Sequence, residues 1–295
     1  MARIVFMGTP EFAVPSLRAL AADHGVAGVV TQPDRRAGRG RKLSAAPTKT
    51  AAHELGLPVI TPANLRDAVA LSQISDWKPD LIVVAAYGHI LRRELLELPA
   101  CGCLNLHASL LPRHRGAAPV AAAVLAGDAR TGVTIMKMDA GLDTGPVLAQ
   151  GEIAIDAGHT TGALTAELAA LGAQLLRETL PAYLRGKVKP QPQDDALVSY
   201  APMLKKADGR LRFSRRAVEL ERQVRAMQPW PGAFALRGGQ PLKLLHAQVA
   251  AGEAPPGRVL LVSGGIAVGT GAGLLRLKRI QPPGKRAMAA EGYAR

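Results

Sequence analysis

The chain contains 295 residues, of which 48% are hydrophobic and 20% are charged. This balance is typical of globular proteins and argues against a disordered chain, and the length suggests two domains of about 150 residues each. No apolar run is long enough to span a bilayer, and Cys101 and Cys103 cannot form a disulfide framework, so we expect a cytoplasmic protein that neither spans a membrane nor depends on disulfides.

Short β-rich segments alternate with helix-like segments through the first 185 residues. Residues 81–86 are almost entirely apolar, as expected of a strand that is buried on both faces of a sheet. The alternation predicts parallel strands joined by helical crossovers, and therefore a doubly wound, mostly parallel, Rossmann-like α/β sheet. The predicted strands cover residues 4–7, 26–31, 57–61, 81–86, 103–107 and 133–138, and the predicted helices cover residues 13–22, 47–55 and 161–184.

The composition changes after residue 186. Residues 187–202 contain three prolines and are therefore predicted to form an extended linker. A helix-like segment at 217–227 then precedes short β-like segments interrupted by glycine and proline, a pattern typical of a small antiparallel barrel. We predict an α/β catalytic domain over residues 1–186, a linker over 187–204 and an OB-like β-barrel over 205–295.

The net charge of +14 is concentrated in two parts of the chain. Residues 1–186 hold 18 Lys and Arg against 16 Asp and Glu, whereas residues 187–295 hold 19 against 7. Residues 34–49 alone hold six cations and one acid. We expect this segment to be a loop that is mobile until it binds a polyanion. A basic domain with a basic loop is typical of nucleic-acid-binding proteins, and the alternative is a solvated basic surface.

Motifs for nucleotide or metal binding are missing from the places where they are expected. The turn that begins at Gly8 lacks the G-x-G-x-x-G pattern, and Gly38 and Gly40 do not stand in phosphate-loop spacing, so a dehydrogenase or a P-loop kinase is disfavoured. His107 and His114 are seven residues apart and have no companion ligands at metal-binding spacing. We therefore predict no metal site.

Three polar residues lie where ligands bind in doubly wound sheets, at or after the ends of predicted strands. Asn105 and His107 share one face of the strand at 103–107, because side chains alternate along a strand. Asn105 can donate hydrogen bonds to a developing oxyanion, and His107 can exchange a proton near neutral pH. Asp143 follows the sixth predicted strand in a glycine-flanked loop. The alternatives are satisfied polar side chains for Asn105 and His107, and a turn or cap for Asp143.

These residues belong to a longer pattern that resembles the family of formyltransferases that use 10-formyltetrahydrofolate. The resemblance covers nearly the whole chain in the same order, and the basic loop and basic C-terminal part resemble the members that act on tRNA. The matching segments are Phe6-Met-Gly-Thr-Pro-Glu-Phe, Thr31-Gln-Pro-Asp-Arg-Arg-Ala-Gly-Arg-Gly, Ala86-Tyr-Gly88, Asn105-Leu-His107-Ala-Ser109-Leu-Leu-Pro112, Arg115-Gly116, Gly132-Val-Thr-Ile-Met136, Gly141-Leu-Asp143-Thr-Gly145 and Pro229-Trp-Pro-Gly232.

The resemblance implies transfer of a formyl group from the co-substrate 10-formyltetrahydrofolate to the α-amino group of methionine on initiator tRNA, for translation initiation. It assigns catalysis to Asn105, His107 and Asp143. It also implies a monomer without a membrane partner. The folate-binding residues that it implies are Ser109, Leu110, Leu111, Pro112, Tyr87 and Gly88, and the tRNA-binding residues are Arg36, Arg39, Arg41, Lys42, Lys205, Lys206 and Arg210.

Two other functions compete with this interpretation. A related folate-dependent enzyme that formylates a small amine, or hydrolyses the formyl group, would share Asn105, His107 and Asp143. Such an enzyme would not need the basic C-terminal part. A nucleic-acid-binding protein on an inactive α/β scaffold would need the basic part but not the three polar residues.

Overall fold

The computed structural model describes residues 2–37, 42–263 and 265–294. Its strands are β1 (Arg3–Gly8), β2 (Gly25–Val30), β3 (Arg35–Ala37), β4 (Lys42–Ser44), β5 (Val59–Ile60), β6 (Leu81–Ala85), β7 (Cys103–His107), β8 (Arg115–Gly116), β9 (Arg130–Lys137), β10 (Val147–Ala154), β11 (Tyr200–Ala201), β12 (Phe234–Arg237), β13 (Gln240–Ala250), β14 (Val259–Val262), β15 (Gly265–Gly269), β16 (Leu274–Gln281) and β17 (Met288–Ala289). Its helices are α1 (Val14–Asp23), α2 (Pro47–Glu54), α3 (Ala68–Asp76), α4 (Arg93–Leu96), α5 (Pro119–Ala126), α6 (Thr161–Leu184), α7 (Ala217–Ala226) and α8 (Ala290–Ala294).

Contacts along the backbone divide the chain into two compact, discontinuous units. The first unit contains residues 1–116, 131–153 and 165–200, and the second contains 117–130, 154–164 and 201–295. The segment predicted as a linker therefore contributes residues 187–200 to the first unit and its last four residues to the second. The division into catalytic and tRNA-binding domains at residues 186 and 204 stays a prediction.

A seven-stranded sheet in the order β10-β9-β7-β6-β1-β2-β5 forms the centre of the first unit. The strands from β7 to β5 are parallel, and β9 is antiparallel to β7. The doubly wound, mostly parallel sheet is thus confirmed. Strand β6 is buried along its whole length, as its continuous apolar sequence predicts.

The register of the parallel strands brings their carboxyl ends to one edge of the sheet. Gly8 is paired with Ala85, and Ala85 is paired with Leu106 in the next strand. The strand order reverses between β1 and β6, and in doubly wound sheets ligands bind outside the carboxyl ends at such a reversal. The fold therefore places the end of β7, with His107, beside the expected crevice.

The second unit contains an antiparallel sheet in the order β12-β13-β16-β15-β14, with β17 paired to β16. Helix α7 packs against β13 and buries Leu220 and Val224 completely or almost completely. The sheet is a half-barrel, which confirms the predicted antiparallel C-terminal fold.

Weak sequence signals explain the elements that were not predicted. Strand β10 alternates half-buried and exposed positions and contains Gly151 and Glu152, so its period-2 pattern is faint. Helix α5 is almost uniformly apolar and lacks an amphipathic period.

Among the described residues, no helix combines the length and apolarity needed to cross a membrane.

Candidate active site at the end of strand β7

Asn105 and His107 project from the same face of β7, as the alternation of side chains along a strand requires. Asn105 is paired with Val84 on one side and with Met136 on the other, so its backbone is fixed by both neighbouring strands. Its side chain is partly exposed. Within the part of the chain that the structure describes, the Asn105 amide has no hydrogen-bond partner, so its donors are available to a ligand.

His107 is 6% exposed, and both of its ring nitrogens face oxygen atoms. Nε2 lies 2.9 Å from the backbone oxygen of His114, and Nδ1 lies 3.6 Å from Oδ2 of Asp143. A carbonyl oxygen can only accept, so Nε2 must carry the proton of that hydrogen bond. Nε2 of His107 is therefore a donor in this arrangement, and Nδ1 faces the Asp143 carboxylate.

Asp143 approaches His107 from a loop whose course differs from the expected one. Because β9 is antiparallel to β7, its end at Lys137 lies beside Leu104, at the opposite end of β7 from His107. Residues 138–146 then bring Asp143 back to the histidine. The Asp143 carboxylate accepts a hydrogen bond of 2.8 Å from the Gly116 amide.

The loop around Asp143 is held tightly by short-range contacts. Asp143 has φ +53°, a left-handed conformation that aspartate tolerates better than most side chains. Asp139 accepts hydrogen bonds from the Gly141 amide and from the Thr144 hydroxyl. A Cβ at Gly145 would overlap the carbonyl oxygen of Lys137, so this position requires glycine. Asp143 is thus placed by the loop rather than by its own preference.

The predicted folate segment, Ser109 to Pro112, is a half-buried turn supported from β9 and β10. The Thr134 hydroxyl donates to the Ser109 carbonyl at 2.7 Å and accepts from the Leu111 amide at 3.0 Å. Gln150 donates to the Leu111 carbonyl at 2.8 Å. The backbone of Leu111, one of the predicted folate-binding residues, is therefore already hydrogen-bonded within the protein.

Tyr87 and Gly88, the other predicted folate residues, follow β6 at the same edge. The Tyr87 side chain is 1% exposed in the hydrophobic core, and burial raises its pKa to about 12. The Tyr87 carbonyl accepts from the Gln32 amide at 2.7 Å and from the Thr9 hydroxyl at 3.1 Å. The phenol is therefore part of the hydrophobic core.

A hydrogen-bonding segment near residue 193 reaches both loops around His107, and the sequence analysis missed it. Gln193 contacts the Asp143 loop through its amide nitrogen and Arg115 through its amide oxygen. The Ser199 hydroxyl accepts from the His114 amide at 2.9 Å. No spacing rule indicates such contacts, since these residues lie 48 to 85 positions from their partners.

The basic segment at residues 34–49 forms a hairpin at its base. Strands β3 and β4 are paired from Arg35 to Ser44, and Lys49 forms an ion pair of 2.9 Å with Asp34. The expectation of a loop is therefore wrong for these paired ends, and the expected mobility of the segment stays a prediction. The predicted tRNA contacts Arg36 and Lys42 stand in the two strands, and Arg39 and Arg41 lie outside the described residues.

The predicted tRNA contacts of the second unit are exposed around one short helical turn. Lys205, Lys206 and Arg210 all face solvent, and the backbone of this turn is held by Asp208 and by the buried amide of Gln223. Two further arginines next to them, Arg212 and Arg215, were not among the predicted contacts. A groove of about 430 Å³ is lined by Met203, Leu204, Arg210, Arg212 and Arg215.

The Cys103 thiol, at the start of β7, is buried in the hydrophobic core. Burial raises its pKa to about 12, so almost none of it is thiolate at neutral pH. No group of three or more His, Cys, Asp or Glu residues among those described could hold a metal ion.

Two family models match the chain. The formyl transferase model matches residues 2–180, and the model of the formyl transferase C-terminal domain matches residues 203–295. A methionyl-tRNA formyltransferase of Myxococcus xanthus is 52% identical over 293 residues, covering 99% of this chain and 94% of the relative. The enzyme of the same name from Roseiflexus castenholzii is 50% identical over 298 residues, covering 99% of this chain and 95% of that relative.

Solved structures share the fold at low sequence identity. The sugar 3N-formyltransferase WlaRD, determined with dTDP and 5-N-formyl-tetrahydrofolate, superposes with a TM-score of 0.71 at 16% identity over 97% of this chain and 99% of WlaRD. HypX from Aquifex aeolicus in complex with tetrahydrofolic acid gives a TM-score of 0.65 at 18% identity. This chain spans 46% of the length of HypX, although 99% of this chain is covered.

Proposed function

The chain belongs to the methionyl-tRNA formyltransferase family, and on that basis we propose that it transfers the formyl group of 10-formyltetrahydrofolate to the α-amino group of methionine on initiator tRNA. The observation that carries the proposal is the grouping of Asn105, His107 and Asp143 at the carboxyl edge of the sheet, in a chain with family identity along its whole length. Translation initiation in the cytoplasm, by a monomer, is the role that we propose with it.

In the proposed reaction the amine nitrogen attacks the formyl carbon, and the carbonyl electron pair moves onto the formyl oxygen. The pair returns as the bond between the formyl carbon and N10 of the folate breaks. The amine loses a proton and N10 gains one. Because the amine is itself the nucleophile, no covalent intermediate with the protein is needed.

Asn105 is suited to hold the formyl oxygen. Its amide N–H groups are free of partners among the described residues and lie at the edge where the folate is expected. A fixed donor stabilises a developing oxyanion more than it stabilises a neutral carbonyl oxygen. The two flanking strands hold the Asn105 backbone, so the donor is already oriented before the charge develops.

His107 and Asp143 act as a pair in this proposal. The sequence leaves open whether His107 is mainly a base or an oxyanion donor. Nε2 donates to the His114 carbonyl and Nδ1 faces the Asp143 carboxylate, so a ring nitrogen must exchange a partner before it can donate to the formyl oxygen. A proton that leaves the amine needs a free acceptor, and the ring nitrogens offer one only after exchanging a partner.

We propose that the folate binds against the turn from Ser109 to Pro112 and the backbone of Gly88. A side chain at Gly88 would contact the Gln32 amide, and its φ of +85° also favours glycine. The turn offers the apolar surface of Leu110 to a flat ring. Its backbone is held by Thr134 and Gln150, so it contributes shape more than hydrogen bonds.

The exposed cations favour a tRNA over a small amine as the acceptor. Residues 205–216 hold six Lys and Arg against one Asp, on the rim of the groove that contains Arg210, Arg212 and Arg215. Clustered cations on an exposed surface bind a phosphate backbone by releasing counterions. An enzyme for a small amine, the second candidate, would gain nothing from this cluster.

The affinity for initiator tRNA should fall steeply with salt concentration. Replacing one of Lys205, Lys206 or Arg210 with serine should lower the slope of log affinity against log salt concentration by about 1, because one phosphate contact is lost. Filter binding or fluorescence anisotropy between about 50 and 200 mM salt measures this slope.

Lys78→Asn is the matched control for these variants. Lys78 is exposed just before β6, at the amino ends of the parallel strands, and its φ of +46° is one that asparagine tolerates. We expect the slope of this variant to equal that of the unaltered protein. Affinity without salt dependence, or the same slope in all four variants, would argue that this turn does not bind tRNA.

A further inference from the structure

One glutamine connects the two loops that surround His107. We propose that Gln193 is a positioning residue that fixes the His107–Asp143 pair for formyl transfer. This inference rests on the catalytic roles proposed above for His107 and Asp143. Gln193 itself does not contact His107 and acts only through the residues that do.

The two oxygen partners of His107 belong to separate loops. The loop after β7 supplies the His114 carbonyl to Nε2, and the loop after β9 supplies the Asp143 carboxylate to Nδ1. A change in the distance between these loops would alter both contacts of the ring. The position of His107 therefore depends on whatever holds the loops together.

Gln193 contacts both loops with a single side-chain amide. Its Nε2 donates to the carbonyl of Asp143 at 2.8 Å and to that of Gly145 at 2.7 Å. Its Oε1 accepts from Nε and Nη2 of Arg115 at 3.1 and 2.8 Å. Two acceptors face the nitrogen and two donors face the oxygen, so the partners determine the orientation of the amide.

The backbone on either side of Gln193 is attached to the same two loops. Gln191 and Val147 exchange both backbone hydrogen bonds, which holds this segment beside the Asp143 loop. Farther along, the Ser199 carbonyl accepts from the Arg115 amide at 2.9 Å. These backbone hydrogen bonds on both sides of Gln193 thus fix the position of its side chain between the two loops.

Gln193 contacts the backbone of Asp143 and the side chain of Arg115, and the position of the Asp143 carboxylate depends on both. Asp143 has a left-handed backbone, and Gln193 holds the carbonyl of that same residue. Arg115 is 3% exposed, and its adjacent strand residue Gly116 donates to the Asp143 carboxylate. Gln193 therefore fixes both the Asp143 backbone and the residue next to the donor that orients its carboxylate.

The variant Gln193→Glu distinguishes positioning of Asp143 from compensation of the buried charge of Arg115. Glutamate keeps an acceptor for Arg115, which also forms an ion pair with the largely exposed Asp195. It loses the donor to the carbonyls of Asp143 and Gly145. If Gln193 only compensated Arg115, this variant would be as active as the unaltered protein. If Gln193 positions Asp143, its activity falls although Arg115 stays paired.

We expect Gln193→Glu and Gln193→Met each to lower kcat about 10- to 100-fold, because small displacements of catalytic groups reduce the rate by such factors. The KM values for tRNA and folate should stay within threefold. Gln191→Met is the matched control, since that side chain is exposed and donates to the Lys189 carbonyl rather than to either loop, and its kcat should stay within twofold. Thermal unfolding measured on the same samples corrects each kcat for the fraction of folded protein.

A double-mutant cycle with Asp143→Asn completes the test. If Gln193 acts through Asp143, then Gln193→Met should lower kcat less than threefold in the Asp143→Asn background. The inference would be overturned if the kcat reductions of Gln193→Met and Asp143→Asn multiplied in full in the double variant. Unaltered kcat in Gln193→Glu would overturn it as well. Unaltered kcat in Asp143→Asn alone would instead contradict the proposed catalytic role of Asp143.

Discussion

Asn105→Ala is expected to lower the kcat for formylation about 10²–10³-fold, which corresponds to about 2.7–4 kcal/mol of transition-state stabilisation. The reason is the loss of a fixed donor at the formyl oxygen. The amide has no other partner among the described residues, so its removal leaves no buried group unsatisfied. Steady-state kinetics with initiator methionyl-tRNA and 10-formyltetrahydrofolate measure the effect, and KM for the folate should change little.

Two further variants distinguish catalysis from stability at this position. Asn105→Asp is nearly isosteric but presents a carboxylate to the oxyanion, so its kcat should be no higher than that of the alanine variant. Leu106→Val, on the opposite face of β7, should lower the free energy of unfolding by about 1 kcal/mol and leave kcat within threefold. A kcat within threefold of the unaltered protein for Asn105→Ala would contradict the oxyanion role.

His107→Ala is expected to lower kcat about 10²–10⁴-fold, the range that general acid–base and electrostatic groups contribute. Removing the ring leaves the His114 carbonyl and the Asp143 carboxylate without their shared partner in a nearly closed site. Folate binding should persist, because the turn from Ser109 to Pro112 is held by Thr134 and Gln150 and not by His107.

His53→Ala provides the control for the histidine. His53 is exposed at the end of α2, and its replacement should leave kcat within twofold. The melting temperatures of both variants show whether a lost rate reflects a lost fold. A folded His107→Ala protein with nearly full activity would contradict the catalytic assignment of His107.

The strand that carries the site was predictable because its signals are local. Strand β7 has the predicted bounds, Cys103–His107, and the period of two places Asn105 and His107 on one face. Asp143 was predicted to lie in the loop after the sixth strand, at the edge where ligands bind. It reaches His107 at that edge, but β9 runs antiparallel and the loop must return, which no local pattern indicates.

The remaining features depend on tertiary contacts that one sequence does not reveal. Tyr87 was predicted to face the folate, but its ring lies in the core with Val5, Met7 and Ile82. Burying the large apolar surface of the ring favours the core even though the phenol oxygen has no partner among the described atoms. Gln193 was read as part of a linker, because its partners lie about 50 to 80 residues away.

The acceptor specificity of this chain tests the proposed function most directly. Purified protein would be incubated with 10-formyltetrahydrofolate and either charged initiator methionyl-tRNA or a nucleotide-linked amino sugar, and the formylated products would be quantified. We expect rapid formation of formyl-methionyl-tRNA, no formylated sugar, and a reaction slowed about 10²–10³-fold in Asn105→Ala. Formylation of the sugar with none of the tRNA would contradict the proposal.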